Sequence, residues 1–201
     1  MQLNRKPLIV WGSRISVGVI WLLVLRLMFD ERAFWGSAWQ APLTWINFLI
    51  APTLALFMLA LAVEVVTEEW LSGTMHRVTR QLLFWMPRIL GVLFCLMLAP
   101  LAFDVFNRGL GFWQTIGALL IHLMPVLMLL ALLVVAWRWE WLGGVAFGLF
   151  GLWMLSLYVK EPNPLSTWVL IVFSPLLIAA LWGLNWIYHA EVRGHPRATT
   201  S

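Results

Sequence analysis

Between Leu8 and Tyr188 the sequence is a succession of apolar runs parted by short polar stretches. Several of these runs approach or exceed the roughly 20 residues that an α-helix needs to cross a hydrocarbon core of about 30 Å. Nothing else in the chain constrains its fold so strongly. An unusually apolar soluble bundle is the competing reading, but soluble core helices are rarely so uniformly apolar over such lengths. Composition decides between the two. The 201 residues are 62% hydrophobic and 11% charged, with a mean hydropathy of +0.88, whereas soluble domains carry roughly 25% charged residues.

The expected fold class is therefore all-α: a polytopic membrane protein with six transmembrane helices arranged as three helical hairpins. The helices are predicted over about 8–29, 43–66, 82–103, 113–136, 142–159 and 166–188. Pro52, Pro87 and Pro100 fall inside them, which is tolerated where neighbouring helices satisfy the freed carbonyls. The connection after Asp30 carries charges, Trp35 and Trp39, as an interfacial loop should. Lys160-Glu-Pro-Asn-Pro164 is a strong helix breaker. The most polar stretch, 67–81, divides the chain into an N-terminal hairpin (1–74) and a four-helix membrane domain (75–201).

The first two hairpins read as a repeat. Trp11-Gly-Ser-Arg14-Ile15, running on to Phe29-Asp30, returns at one fixed offset as Trp85-Met-Pro-Arg88-Ile89, running on to Phe103-Asp104. More weakly, Glu69-Trp-Leu-Ser-Gly73 is echoed by Glu140-Trp-Leu-Gly-Gly144. An even number of crossings separates the copies, so they are parallel and not inverted repeats.

Met1 to Lys6 followed by an apolar stretch has the look of a secretory leader, but the stretch is long, contains Arg14 and lacks a small-x-small site. It is expected to be a retained first helix. The loop cations set the orientation. Arg5, Lys6, Arg77, Arg80, Arg138, Arg193 and Arg197 fall on one side, and Arg32, Arg108 and Lys160 on the other. The positive-inside rule then places both termini in the cytoplasm, and the location expected is a bacterial inner membrane. The net charge of +4 is spread along the chain without the clustered patch that nucleic-acid binding needs. The single cysteine, Cys95, excludes an internal disulfide and a multi-cysteine metal site.

Ionisable groups at membrane depth are costly, by roughly 3 kcal/mol or more at the centre, and are site candidates by default. Arg14 and Arg88 lie about two turns in from the cytoplasmic ends of the first and third helices, and Glu64, Glu68 and Glu140 lie near the cytoplasmic ends of the second and fourth. The arginines and acids therefore share a depth. Arg26 and Asp30 are placed to pair on one helix face. Interfacial ion pairs with snorkelling stems are one reading of the deeper set; an ion or lipid-headgroup site lined by Arg14 and Arg88 is the other, with Glu64 as a proton-relay candidate.

His122, three residues before Pro125, is expected as a hydrogen-bonded core histidine; a cofactor-binding role, as a haem ligand, is the alternative. No cofactor and no metal are expected, since no catalytic triad, phosphate loop or zinc spacing can be assembled. Many of the 15 tryptophans mark the membrane edges, while Trp153 and Trp182 fall nearer the core. Gly143, Gly144, Gly148 and Gly151 make a small-residue helix-packing face, within the fold or toward another subunit.

Phe103-Asp-Val-Phe106, Ile121-His-Leu-Met-Pro125, Ala136-Trp-Arg-Trp-Glu-Trp-Leu-Gly-Gly144 and Phe173-Ser-Pro-Leu-Leu177 together resemble a bacterial family of small four-helix membrane proteins known only as a domain of unknown function. The resemblance covers about 82–190. It implies a fold and a membrane location and supplies no reaction. Three functions follow as expectations. The first is a non-enzymatic structural or accessory subunit, partnered by the lipid bilayer and by other membrane proteins or by itself. The second is a small oligomeric transporter or channel using Arg14, Arg88 and Glu64. The third is a haem- or quinone-associated component using His122.

Overall fold

The computed structural model describes residues 6–30, 42–98, 105–106, 109–160 and 165–193, with the side chains at 6–10, 42–49, 51 and 166 left aside. Among the described residues the chain is helical throughout and contains no strand. The helices are α1 (Lys6–Asp30), α2 (Pro42–Ser72), α3 (Arg77–Leu98), α4 (Phe112–Ala136), α5 (Glu140–Tyr158), a single turn α6 (Leu165–Thr167), a π-helical segment (Trp168–Phe173), α7 (Ser174–Ile187) and the short α8 (His189–Val192).

Five of them contain spans long and apolar enough to cross a membrane, in α1, α3, α4 and α5 and across the π segment with α7. The sixth expected crossing falls on α2. Its 31 residues reach roughly 46 Å at 1.5 Å per residue, but its described part carries Glu64, Glu68 and Glu69. The surface fits lipid better than water. Leu22, Leu23 and Leu27 on α1 and Ile121, Met124 and Met128 on α4 are all exposed, a continuous apolar exposure that soluble monomers avoid.

The helix boundaries depart from expectation where polar residues were taken to end a helix. The polar stretch 67–81 is helical on both sides of a four-residue link, 73–76. α2 runs on past Glu68 and Glu69 to Ser72 and stops at Gly73, whose φ of +67° is cheap only for glycine. The Gly73 amide donates to the Glu69 carbonyl at 2.9 Å. α3 likewise begins at Arg77, five residues early. The polar residues therefore do not end these helices. The far end of the expected third helix, with Pro100, Phe103 and Asp104, lies outside the described residues.

The sixth expected helix is not uniform. Pro175 has no N–H to donate, and its ring would collide with the carbonyl four residues back. The chain widens into a π segment immediately before it, with the Ser174 amide donating to the carbonyl of Val169. The Ser174 hydroxyl donates to the same carbonyl at 2.8 Å. Such widened turns re-satisfy backbone groups freed by a proline in the membrane.

α7 is the centre of the bundle, packed most widely against α5 and also against α3 and α2. In lipid the hydrophobic effect does not press helices together, so close approach of backbones must do so. The α5 glycines supply it. A Cβ on Gly143 would fall 2.5 Å from the Trp182 ring, and one on Gly151 would fall 2.6 Å from Leu176. Gly144 faces the Ala179 carbonyl, and Gly148 its methyl. This face is thus filled by α7 of the same chain and is not open to a second subunit. α3 contributes a stripe (Leu83, Pro87, Leu90, Phe94 and Leu98, all buried) at helical spacing, and it packs more widely on α7 than on its chain neighbour α4. α1 packs chiefly on α2 at the edge.

Candidate functional site

Four of the five charged groups expected at membrane depth, Arg14, Glu64, Arg88 and Glu140, form two separate clusters. The deeper one is built on α3. Arg88 lies on its buried stripe next to Pro87, one turn beyond Phe84. Glu140 is the first residue of α5, where the unpaired amides and the helix dipole favour an acid. Arg88 Nη2 meets Glu140 Oε1 at 3.3 Å, and the two side chains are 5% and 4% exposed. Arg193, just past α8, reaches the same oxygen at 3.2 Å from the surface. Arg88 also donates to the Phe84 carbonyl. Its guanidinium carbon lies 4.0 Å from the centre of the Phe84 ring and 4.8 Å from that of Trp182, within cation–π range.

This arrangement traces back to a glycine. Trp182 is fully buried and occupies the space that a side chain on Gly143 would need. Gly143 is one turn from Glu140, so one bare stretch of α5 seats the tryptophan that covers Arg88, while the residue a turn earlier neutralises it. The cluster holds two guanidiniums and one carboxylate, stacked and hydrogen-bonded, which is the condition for a buried pair to be tolerated. Close by, Asn185 is fully buried and its amide finds no hydrogen-bond partner among the described residues.

The second cluster joins α1 to α2. Arg14 grips Glu64 with both ends of its fork, Nη2 to Oε1 at 2.5 Å and Nε to Oε2 at 3.3 Å. The two side chains are 53% and 24% exposed. Trp11 lies one turn away, with its ring centre 5.9 Å from the Arg14 guanidinium. Arg14 and Arg88 are thus committed to different carboxylates on different helix pairs. Glu68 belongs to neither cluster. Its carboxylate accepts the His76 amide at 3.0 Å and pins the α2–α3 link. Arg26 and Asp30 are both exposed and form no ion pair among the described residues.

Beside the buried cluster opens a cavity of about 470 Å³, lined by Arg77, Arg80, Gln81, Phe84, Trp85, Val192 and Arg193. Arg80 is steadied by a 3.3 Å bond from Nη1 to the Glu191 carbonyl. Sequence reasoning counted these arginines only as loop charges. The signal that could have found them is the spacing of Arg77, Arg80, Gln81 and Phe84, which puts all four on one helix face once α3 is known to begin at Arg77.

His122 is not the core histidine expected. It is exposed, with Nδ1 2.8 Å from the Ala118 carbonyl. It continues the stripe Val126, Leu129, Leu133 and Ala136 that α4 buries, but no residue of α4 before Val126 is buried. The stripe persists where its neighbours do not. Where α4 stops burying residues, an apolar groove of about 520 Å³ runs along Met124, Met128, Phe150 and Trp153. Cys95 is buried and unpaired. Among the described residues no group of three His, Cys, Asp or Glu side chains could hold a metal ion.

Residues 74–194 match the model of a family described as a domain of unknown function, DUF7670. The match takes in Arg88, Glu140, Arg193 and every residue lining the arginine cavity, and leaves out Arg14 and Glu64. No curated protein and no solved structure matches the chain.

Proposed function

The chain belongs to the DUF7670 family through more than half its length, and from that premise we propose that it is a structural or accessory subunit of a bacterial inner membrane. In this reading it crosses six times, α2 included, with both termini in the cytoplasm, and performs no chemistry of its own. The hairpin over 1–74 docks on the family domain through the contact of α2 with α7. The cations Arg77, Arg80, Arg138 and Arg193 gather at one end of the bundle, which supports a cytoplasmic assignment for that end.

One observation carries the accessory role. The first half of α4 presents a large apolar surface, with Phe112, Trp113 and Ile121 the most exposed, and none of its residues before Val126 is fully buried. A helix that departs from its bundle in this way offers its face to lipid or to another membrane protein. A transport path through Arg14, Arg88 and Glu64 draws no support from side chains tied into two separate ion pairs. Haem ligation by His122 has only the exposure of the ring in its favour; the contact of Nδ1 with the Ala118 carbonyl is compatible with a ligating Nε2.

The test is purification of the tagged protein from its native membrane in mild detergent, with mass spectrometry and an absorption spectrum on the same peak. Stoichiometric membrane subunits whose cross-links map to 112–125 are expected. A lone, colourless homo-oligomer would contradict the accessory role, and a Soret band would redirect attention to His122.

A further inference from the structure

We infer that the cavity beside the buried cluster is a binding site for a phosphate-bearing anion, taken with its headgroup among Arg77, Arg80 and Arg193 and its apolar part against Phe84, Trp85 and Val192. Three guanidiniums line this cavity and no carboxylate does. Of the nearby acids, Glu140 is shared by Arg88 and Arg193, and Glu191 sits on α8, where its backbone carbonyl takes the bond from Arg80. Four arginines against these two carboxylates leave the corner positive.

The guanidiniums are also held ready. Arg80 and Arg193 each spend one hydrogen bond on fixing their position, out of five N–H donors apiece. Arg77 is exposed, has no partner among the described residues, and occupies the first turn of α3, where free backbone amides favour an anion. Guanidinium forks match phosphate oxygens in pairs.

The cavity is one-sided in chemistry. Its arginines stand at the polar end of α3, while Phe84 and the exposed Trp85 follow toward the apolar segment. That order, cationic then aromatic then apolar, is the profile of the membrane–water boundary, and basic pockets between helices at that level suit anionic phospholipid headgroups. The two sources of such a group are a phospholipid and free phosphate. A site of this kind needs only insertion in a membrane and stands whether or not the chain is an accessory subunit.

The experiment uses the full chain in a neutral detergent. Native mass spectrometry would compare binding of phosphatidylglycerol, phosphatidylcholine and inorganic phosphate to the wild type and to Arg77→Gln, Arg80→Gln and Arg138→Gln. Arg138 is an exposed arginine at the same end of the bundle and does not line the cavity. Phosphatidylglycerol is expected to bind at least about tenfold more tightly than phosphatidylcholine. Loss of a charge-assisted bond should weaken it about tenfold in each of the first two variants, and Arg138→Gln should leave it unchanged. Binding of inorganic phosphate alone, with the same dependence on Arg77, would keep the site and make free phosphate its source. Equal loss in Arg138→Gln, or binding indifferent to all three arginines, would overturn the inference. Arg77 has no structural bond to lose, so Arg77→Gln remains decisive if Arg80→Gln fails to fold.

Discussion

The molecule ties an arginine to a glutamate twice, at Arg14–Glu64 and at Arg88–Glu140, and the two ties live in different surroundings. The first joins an edge helix to its only substantial neighbour, with the arginine half exposed. The second sits between α3 and α5 under the rings of Phe84 and Trp182, almost wholly enclosed. Charge and residue type are the same. What differs is how many helices surround the pair laterally, and that decides the energetics. An exposed arginine near a helix end can still reach headgroups if its partner is lost, whereas an enclosed pair leaves an uncompensated charge if either member is lost. Loss of one partner should therefore cost less at the outer tie than at the inner one.

The largest expected effect comes from Glu140→Leu, which strands Arg88 in the bundle and deprives Arg193 of its anchor. A loss of roughly 3–5 kcal/mol is expected, seen as a much lower melting temperature in detergent. Next is Gly143→Ala, which drives a methyl into the Trp182 ring. An overpacking cost of about 1–3 kcal/mol is expected, with a changed tryptophan emission. Gly12→Ala, where nothing lies within 4 Å, should cost nothing in the same melt. Glu64→Gln should cost clearly less than Glu140→Leu, because Arg14 can extend toward the headgroups; a loss as large as that of Glu140→Leu would erase the contrast between the ties. Smallest is Asn185→Leu. It removes a buried amide without a partner among the described residues and should leave stability unchanged or slightly raised.

Much of this was legible in the order of residues. Apolar length pointed to helices, because lipid leaves the backbone few other options, and five of the helices contain spans long and apolar enough to cross a membrane. That Arg14 could meet Glu64, and Arg88 could meet Glu140, followed from the order of the helices. Which of the two pairs would be enclosed did not, because that depends on lateral neighbours, and Glu140 opens α5 and does not close α4. His122 shows the same gap, since periodicity gives the face of a helix and not whether anything covers it. The α5 glycines marked a close-packing surface, but that α7 fills it required Trp182 to be seen against Gly143. The arginine cavity escaped notice because the polar residues from 67 to 81 were read as leaving the helix, when α2 runs on to Ser72 and α3 begins at Arg77.

The most direct test of the inner tie is a double-mutant cycle on Arg88→Met and Glu140→Leu, with unfolding free energies measured in one mild detergent. The account predicts that each single variant is strongly destabilised and that the double variant recovers most of the loss, giving a coupling of several kcal/mol as expected for a buried pair. Single variants as stable as the wild type, with effects that simply add, would contradict it.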